Sequence, residues 1–222
     1  MDINSCYFVD GVAEMYLFWC LLISVLEFTI QEKVKVSVYY ESLCPASKQF
    51  ISRQLYPGYQ LLGDNSLTVD LIPYVNRVKN VNKNKNEYRL ICQHGKEECY
   101  ANKVHACVLH LNATQKAQIS FIECHLQTSD LQDKDDIKKC LRSNNLAWSD
   151  IKDCLIDEGT QYLVEYHKQA QSLRPPLEYL PHILFNDKTD RDEEKNSRRE
   201  FVKIVCSKFK DEKPNGCPQD FE

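Results

Sequence analysis

The chain has 222 residues, 43% of them hydrophobic, enough for one substantial core with room for a smaller attached lobe. A formal net charge of −4 and a pI near 5.9 exclude the basic footprint of a nucleic-acid binder; short clusters such as Arg198-Arg199 sit among acids, as on a solvated helix face. Eleven cysteines without metal-type spacing point to an oxidising compartment.

Tyr16 to Leu26 is an apolar run of signal-peptide length, too short to span a bilayer comfortably. No basic residue precedes it, and Asp2, Asp10 and Glu14 make the opening acidic. Residues 1–30 read as a signal peptide, and Met15, directly before the run, offers an alternative start that would leave a short leader opening almost directly on its apolar core. The mature start falls between Ser24 and Lys33, leaving a domain over 31–222 with no stable membrane insertion. Removing the leader removes Cys6 and Cys20, and nine cysteines remain, so at least one stays unpaired, reacts, or pairs with another chain.

Val34, Val36 and Val38 alternate with polar residues, the period of a strand with one buried face. Glu41-Ser42-Leu43 is a short turn, and Cys44-Pro45 follows. Proline suits the first helical position, where a missing N–H is harmless. The helix from Pro45 to Leu55 places Phe50, Ile51 and Leu55 on one stripe. Leu67 to Tyr74 is a second strand ended by Pro73, completing a βαβ unit with Cys44 at the start of its helix. Asn76 to Glu87 is rich in Asn and Lys without an apolar period and reads as an exposed loop.

From Glu97 to Leu173 the pattern is helical: Ile137, Cys140 and Leu141 share a face, as do Leu155, Tyr162, Leu163 and Tyr166. A helical insertion over about 92–175, laced by disulfides, is the natural reading, because a small helical lobe has too little core of its own to be rigid. Arg174-Pro175-Pro176 ends it. Leu180 to Asn186 gives a proline leading into a short strand, Lys188 to Lys195 a charged loop, and Ser197 to Phe209 a final helix buried through Phe201, Ile204 and Val205. Cys206 and Cys217 flank a turn and suit a mutual bridge. Asn112-Ala113-Thr114 is a glycosylation sequon.

Cys92 to Cys107 is the most informative run: Cys-Gln-His-Gly-Lys-Glu-Glu-Cys-Tyr-Ala-Asn-Lys-Val-His-Ala-Cys. Zinc sites usually pair cysteines two to four residues apart. Cys92, Cys99 and Cys107 are separated by six and seven residues, which speaks against zinc, and no metal site is expected. Cys92, Gln93, His94, Gly95, Glu98, Cys99, Asn102 and Cys107 fill every fixed position of a signature that resembles the gamma-interferon-inducible lysosomal thiol reductase family. The resemblance covers most of Lys33 to Cys217. It implies an α/β thioredoxin-like fold with a disulfide-rich helical insertion, and thiol–disulfide exchange as the chemistry.

The family usually carries Cys-x-x-Cys where this chain has Cys44-Pro45-Ala46-Ser47, so a resolving cysteine is absent. A thiol at a helix N-terminus faces unpaired N–H groups and the positive end of the helix dipole, both favouring the nucleophilic thiolate. Cys44 is the expected nucleophile, and Ser47, one turn on, can donate a hydrogen bond to it. Pro181 corresponds to the cis-proline that borders the thiol in such folds and helps receive an extended substrate. Cys92, Cys99, Cys107, Cys124, Cys140, Cys154, Cys206 and Cys217 are expected in structural disulfides, among roughly 105 possible connectivities. His94 and His105 read as acid–base groups or as hydrogen-bonded fillers of the lobe. Val75 replaces the glycine common in the family's Pro-Tyr-Gly-Asn run.

Two functions follow. One is an enzyme reducing or isomerising disulfides of protein or peptide substrates through Cys44, with an external small thiol as reductant and no metal or nucleotide cofactor. The other is a catalytically weak secreted binding or host-defence protein on the same scaffold. Either belongs to the secretory pathway, lysosomal or extracellular; oligomeric state is not readable.

Overall fold

The computed structural model describes residues 33–218 apart from 83, 85, 86 and 211. The expected leader over 1–30, the start at Met15, and Cys6 and Cys20 lie outside the described residues. No helix among the described residues is long and apolar enough to cross a membrane.

Strand β1 (Val34–Tyr40) is the middle of a three-stranded sheet, parallel to β2 (Leu67–Pro73) and antiparallel to β5 (His182–Phe185). Its even side chains Val36, Val38 and Tyr40 join Phe50, Ile51, Leu55, Phe201 and Val205 in the main core. The sequence suggests one buried face for β1, but Ser37 and Tyr39 are buried as well. Tyr39 packs with Ile72, Leu184 and Ala170 because a helix of the insertion covers the second face. β1 is therefore buried on both sides, the central strand of a mixed sheet packed on both of its faces.

The crossover helix runs past the expected Leu55. It is α1 (Pro45–Phe50), a π-helical turn (Ile51–Leu55) and α2 (Tyr56–Leu62), closed by Gly63 at φ 71°. The π turn ends two residues before Pro57, whose missing N–H removes one rung of an ordinary α ladder. A Cβ on Gly58 would stand 2.5 Å from Phe201 Cδ1, so glycine there lets this helix meet the last one closely.

Asn76 to Glu87 is not the loop its composition suggests. β3 (Arg77–Asn82) and β4 (Glu87–Ile91) form an antiparallel hairpin. Few of its side chains are buried on either face, so no apolar period was there to be read.

The insertion is five helices: α3 (Lys96–Leu109), α4 (Gln115–Leu126), α5 (Lys134–Ser143), α6 (Trp148–Ile156) and α7 (Gly159–Gln171). Cys107–Cys154 ties α3 to α6, and Cys124–Cys140 ties α4 to α5. Asn112 is exposed, and Thr114 of its sequon caps α4 by accepting from the Ala117 N–H at 3.2 Å.

The last helix, α8 (Arg191–Cys206), starts six residues before the expected Ser197 and carries a kink at Glu200. Asp190 is the missed start signal: its carboxylate accepts from the N–H groups of Asp192 and Glu193. Cys206–Cys217 fastens the following turn.

Candidate active site

Cys44 occupies the N-cap of α1 with extended backbone (φ −67°, ψ 119°), and Pro45 opens the helix. It is half-buried, and it is the free cysteine among the described residues. Cys92–Cys99, Cys107–Cys154, Cys124–Cys140 and Cys206–Cys217 account for the other eight. Ser47 is fully buried, and its Oγ has no hydrogen-bond partner among the described residues, so it makes no bond to the Cys44 sulfur. The expected donor therefore stands one helical turn away with its hydroxyl unsatisfied.

The three residues ahead of Cys44 explain the signature. The Cys92–Cys99 bridge closes the segment that carries His94 and Glu98. Asn102, fully buried on α3, accepts the Ser42 N–H at 3.0 Å and donates to the Tyr74 carbonyl at 2.7 Å. Glu98, also fully buried, accepts the Leu43 N–H at 3.3 Å, the His94 N–H at 3.1 Å and the His94 Nδ1–H at 2.6 Å. Ser42 Oγ donates to the Glu98 carbonyl at 3.4 Å. A buried backbone N–H left unpaired costs about 1–3 kcal/mol. The signature's polar residues thus act through the backbone of Ser42 and Leu43 and fix the loop that presents Cys44.

Glu41 completes this cluster. It is 1% exposed; one carboxylate oxygen lies 3.8 Å from His94 Nδ1, and the other, Oε1, has no hydrogen-bond partner among the described residues. Burial, and then the neighbouring Glu98 charge, push its carboxyl up to about 7, with His94 opposing. The Glu41 charge in turn helps raise the Tyr74 phenol above its ordinary value, after burial.

A second polar chain leaves β1 one residue earlier. Leu131's carbonyl can only accept, so His125 Nε2 donates to it at 3.1 Å. His125 Nδ1 must then accept from His105 Nε2 at 2.9 Å, and His105 Nδ1 from the Tyr40 hydroxyl at 3.0 Å. Both histidines are fully buried. Burial holds His125 down at about 4, and burial with the His125 charge holds His105 well below the ordinary value. His105 is therefore a structural link, away from the segment before Cys44, whereas His94 lies against that segment.

The other side of the site comes from β5. Leu180–Pro181 is cis, as is Arg174–Pro175. Tyr39 pairs with His182 in the antiparallel register, which puts Pro181 opposite Tyr40, at the end of β1 from which Cys44 follows. The Pro181 carbonyl accepts from Arg198 Nη2 at 3.0 Å. His182 donates through Nδ1 to Glu194 Oε1 at 3.0 Å, and Tyr179 donates to Glu194 Oε2 at 2.6 Å. Burial raises the Glu194 carboxyl, but the bonds from His182 and Tyr179 outweigh it and leave it below the usual value. His182 Nε2 is buried with no hydrogen-bond partner among the described residues, beside a cleft that Pro175, Pro176, Tyr179 and Thr189 also line.

No sequence pattern marks Glu41, His182 or Glu194 as site residues. His182 follows Pro181 directly, which is a positional signal; Glu41 and Glu194 stand in no motif.

A family model described as gamma interferon inducible lysosomal thiol reductase (GILT) matches residues 35–144. The gamma-interferon-inducible lysosomal thiol reductase of Carassius auratus is 30% identical over 228 residues, covering 97% of this chain and 88% of the relative. That of Mus musculus is 32% identical, covering 83% and 71%. GILT-like protein 1 of Drosophila melanogaster is 31% identical, covering 90% and 85%. Among solved structures, DsbA of Chlamydia trachomatis aligns with TM-score 0.51 at 12% identity, covering 76% of this chain and 84% of that one. A linker-deletion variant of ScsC from Proteus mirabilis aligns with TM-score 0.51 at 16% identity, covering 93% and 100%. These likenesses establish the fold as thioredoxin-like.

Proposed function

This chain belongs to the gamma-interferon-inducible lysosomal thiol reductase family, and on that premise we propose that it reduces or isomerises protein disulfides through the single thiol of Cys44. The observation that carries the reading is the free, half-buried Cys44 at a helix N-terminus, with the other eight cysteines of the described residues paired.

The Cys44 thiolate attacks one sulfur of a substrate disulfide. The new Cys44–substrate S–S bond forms as the substrate bond breaks, and the released substrate thiolate takes a proton from water. Cys-Pro-Ala-Ser offers no second thiol, so an external small thiol attacks Cys44 Sγ, frees the second substrate thiol and stays bonded to Cys44. A second external thiol restores Cys44 and leaves as the oxidised disulfide. One substrate disulfide is thereby reduced and two small thiols are oxidised. Attack by a substrate thiol on the mixed disulfide gives isomerisation instead.

Pro181 borders the substrate in this reading. Its carbonyl is engaged by Arg198, which leaves the preceding Leu180 peptide to meet an extended chain. Substrates are disulfide-containing proteins or peptides, and the setting is the secretory pathway, lysosomal or extracellular, with Asn112 glycosylated.

The absent resolving cysteine, with Ser47 buried in its place, favours a second reading: a secreted binding or host-defence protein with weak catalysis. Disulfide reduction at pH 4.5 with excess small thiol, wild type against Cys44→Ala, separates the two. Loss of turnover in the variant supports the enzyme; equal rates overturn it in favour of the binding protein.

A further inference from the structure

Glu41, His94 and Glu98 each offer one ligand atom, and these atoms lie within 4.8 Å of one another. Glu41 and Glu98 are 1% and 0% exposed, while the His94 side chain is 33% exposed and opens the cluster to solvent. Cysteine spacing could not reveal such a site, because its donors are carboxylate oxygens and an imidazole nitrogen, and the three signature cysteines are all in disulfides.

Three features favour a cation over a purely internal hydrogen-bond cluster. Two buried carboxyl groups, Glu41 and Glu98, flank one imidazole, at 3.8 and 2.6 Å from His94 Nδ1, and a dication between them would offset the charge of both carboxylates. Glu41 Oε1 is buried with no hydrogen-bond partner among the described residues, a deficit that buried carboxylates rarely carry and that an ion held by both Glu41 oxygens would remove. Glu98 is already held in place by N–H groups on both oxygens, Leu43 on Oε2 and His94 on Oε1, the kind of support that metal-bound carboxylates have.

The geometry is close to what an ion needs. With metal–ligand distances of about 2.1 Å, tetrahedral ligand atoms stand roughly 3.4 Å apart. His94 Nδ1 is 2.6 Å from Glu98 Oε2 and 3.8 Å from Glu41 Oε2, so the imidazole exchanges its proton for the ion and shifts by less than an ångström against each. A mixed nitrogen and oxygen donor set suits borderline divalent ions such as Zn2+.

We infer that Glu41, His94 and Glu98 form a divalent-cation site, with Zn2+ as its fitting ion and a fourth position open to water. Bound there, the ion ties the segment before Cys44 to α3 through side chains as well as through backbone bonds. The site is independent of the thiol chemistry assigned to Cys44.

Isothermal titration with Zn2+ at pH 7.5 tests this on full-length Cys44→Ala protein with its disulfides intact, so that the thiol cannot supply the binding. One equivalent should bind with micromolar or tighter affinity. Adding Glu41→Gln or His94→Ala should weaken it at least tenfold, while far-ultraviolet circular dichroism stays unchanged. Co2+ in place of Zn2+ should show no sulfur-to-metal charge-transfer band. Absence of stoichiometric binding, affinity indifferent to both substitutions, or a strong sulfur band would each overturn the site. None of these results bears on whether Cys44 is the nucleophile.

Discussion

Tyr40 and Glu41 are chain neighbours, yet their side chains enter two buried polar clusters that answer acid in opposite directions. Tyr40 begins the neutral chain through His105 and His125; Glu41 begins the carboxylate cluster with His94 and Glu98. Burial is the leading cause in both, and it always opposes charge. For imidazoles that means resisting a proton, for a carboxyl it means keeping one. One strand end therefore carries one cluster weakened by acid and one relieved by it.

The largest expected effect comes from cutting the carboxylate side away from the backbone. Asn102→Ala leaves the Ser42 N–H and the Tyr74 carbonyl without their buried partner and should cost about 4 kcal/mol, read as a lowered urea midpoint. The loss should be nearly the same at pH 5 and pH 7, since no titrating group is removed.

Next comes the histidine chain. His125 is held at about 4 against an ordinary 6.5, so between those values the unfolded chain binds a proton that the folded one refuses. Its contribution is complete above pH 6.5 and is lost as pH falls to about 4, with a magnitude of about 3 kcal/mol. His125→Gln keeps a donor for Leu131 and an acceptor for His105 without titrating. Denaturation midpoints from pH 7 to 4 should fall less in the variant; parallel curves would dismiss the linkage.

Glu41 should show the opposite slope. Its carboxyl is raised from 4.5 to about 7, so the folded state holds a proton the unfolded chain has lost. That stability is present below pH 4.5 and disappears as pH climbs through 7. Glu41→Gln should flatten this decline by about 1–2 kcal/mol, discounted because the two carboxyl groups share one site. Chelator-treated protein is needed, so that bound metal does not mask the slope.

The smallest effect is a control outside both clusters. Thr114→Ala removes the cap of α4 and should cost about 1 kcal/mol without pH dependence. The same change abolishes the sequon at Asn112, so a glycosylated product should lose mass on an SDS gel.

What the sequence disclosed follows from how each signal arises. The βαβ start, Cys44 at a helix entrance and the helical lobe were legible because apolar spacing and Pro45 encode them locally. The β3–β4 hairpin was not, because its strands are held by a backbone ladder and bury little. Helix α8 was placed late because apolar residues cluster in its second half, while Asp190 announces its start through a cap. At the site, Glu98 and Asn102 were visible as fixed positions of a signature, but their work is done on Ser42 and Leu43, more than fifty residues away in sequence. Glu41 gave no signal at all, since burial of a carboxylate beside another is a property of the assembled fold.

The bridge between Cys92 and Cys99 closes the segment on which Glu98 sits, and half-buried Cys99 leaves it within reach of solution. On the proposed function, a protein that opens other molecules' crosslinks braces the loop that presents Cys44 with a bond of the same kind. Strong dithiol reagents would dismantle that brace along with the substrate, so silence in such a buffer would say nothing about the nucleophile. A mild monothiol is the reagent that tells the two apart.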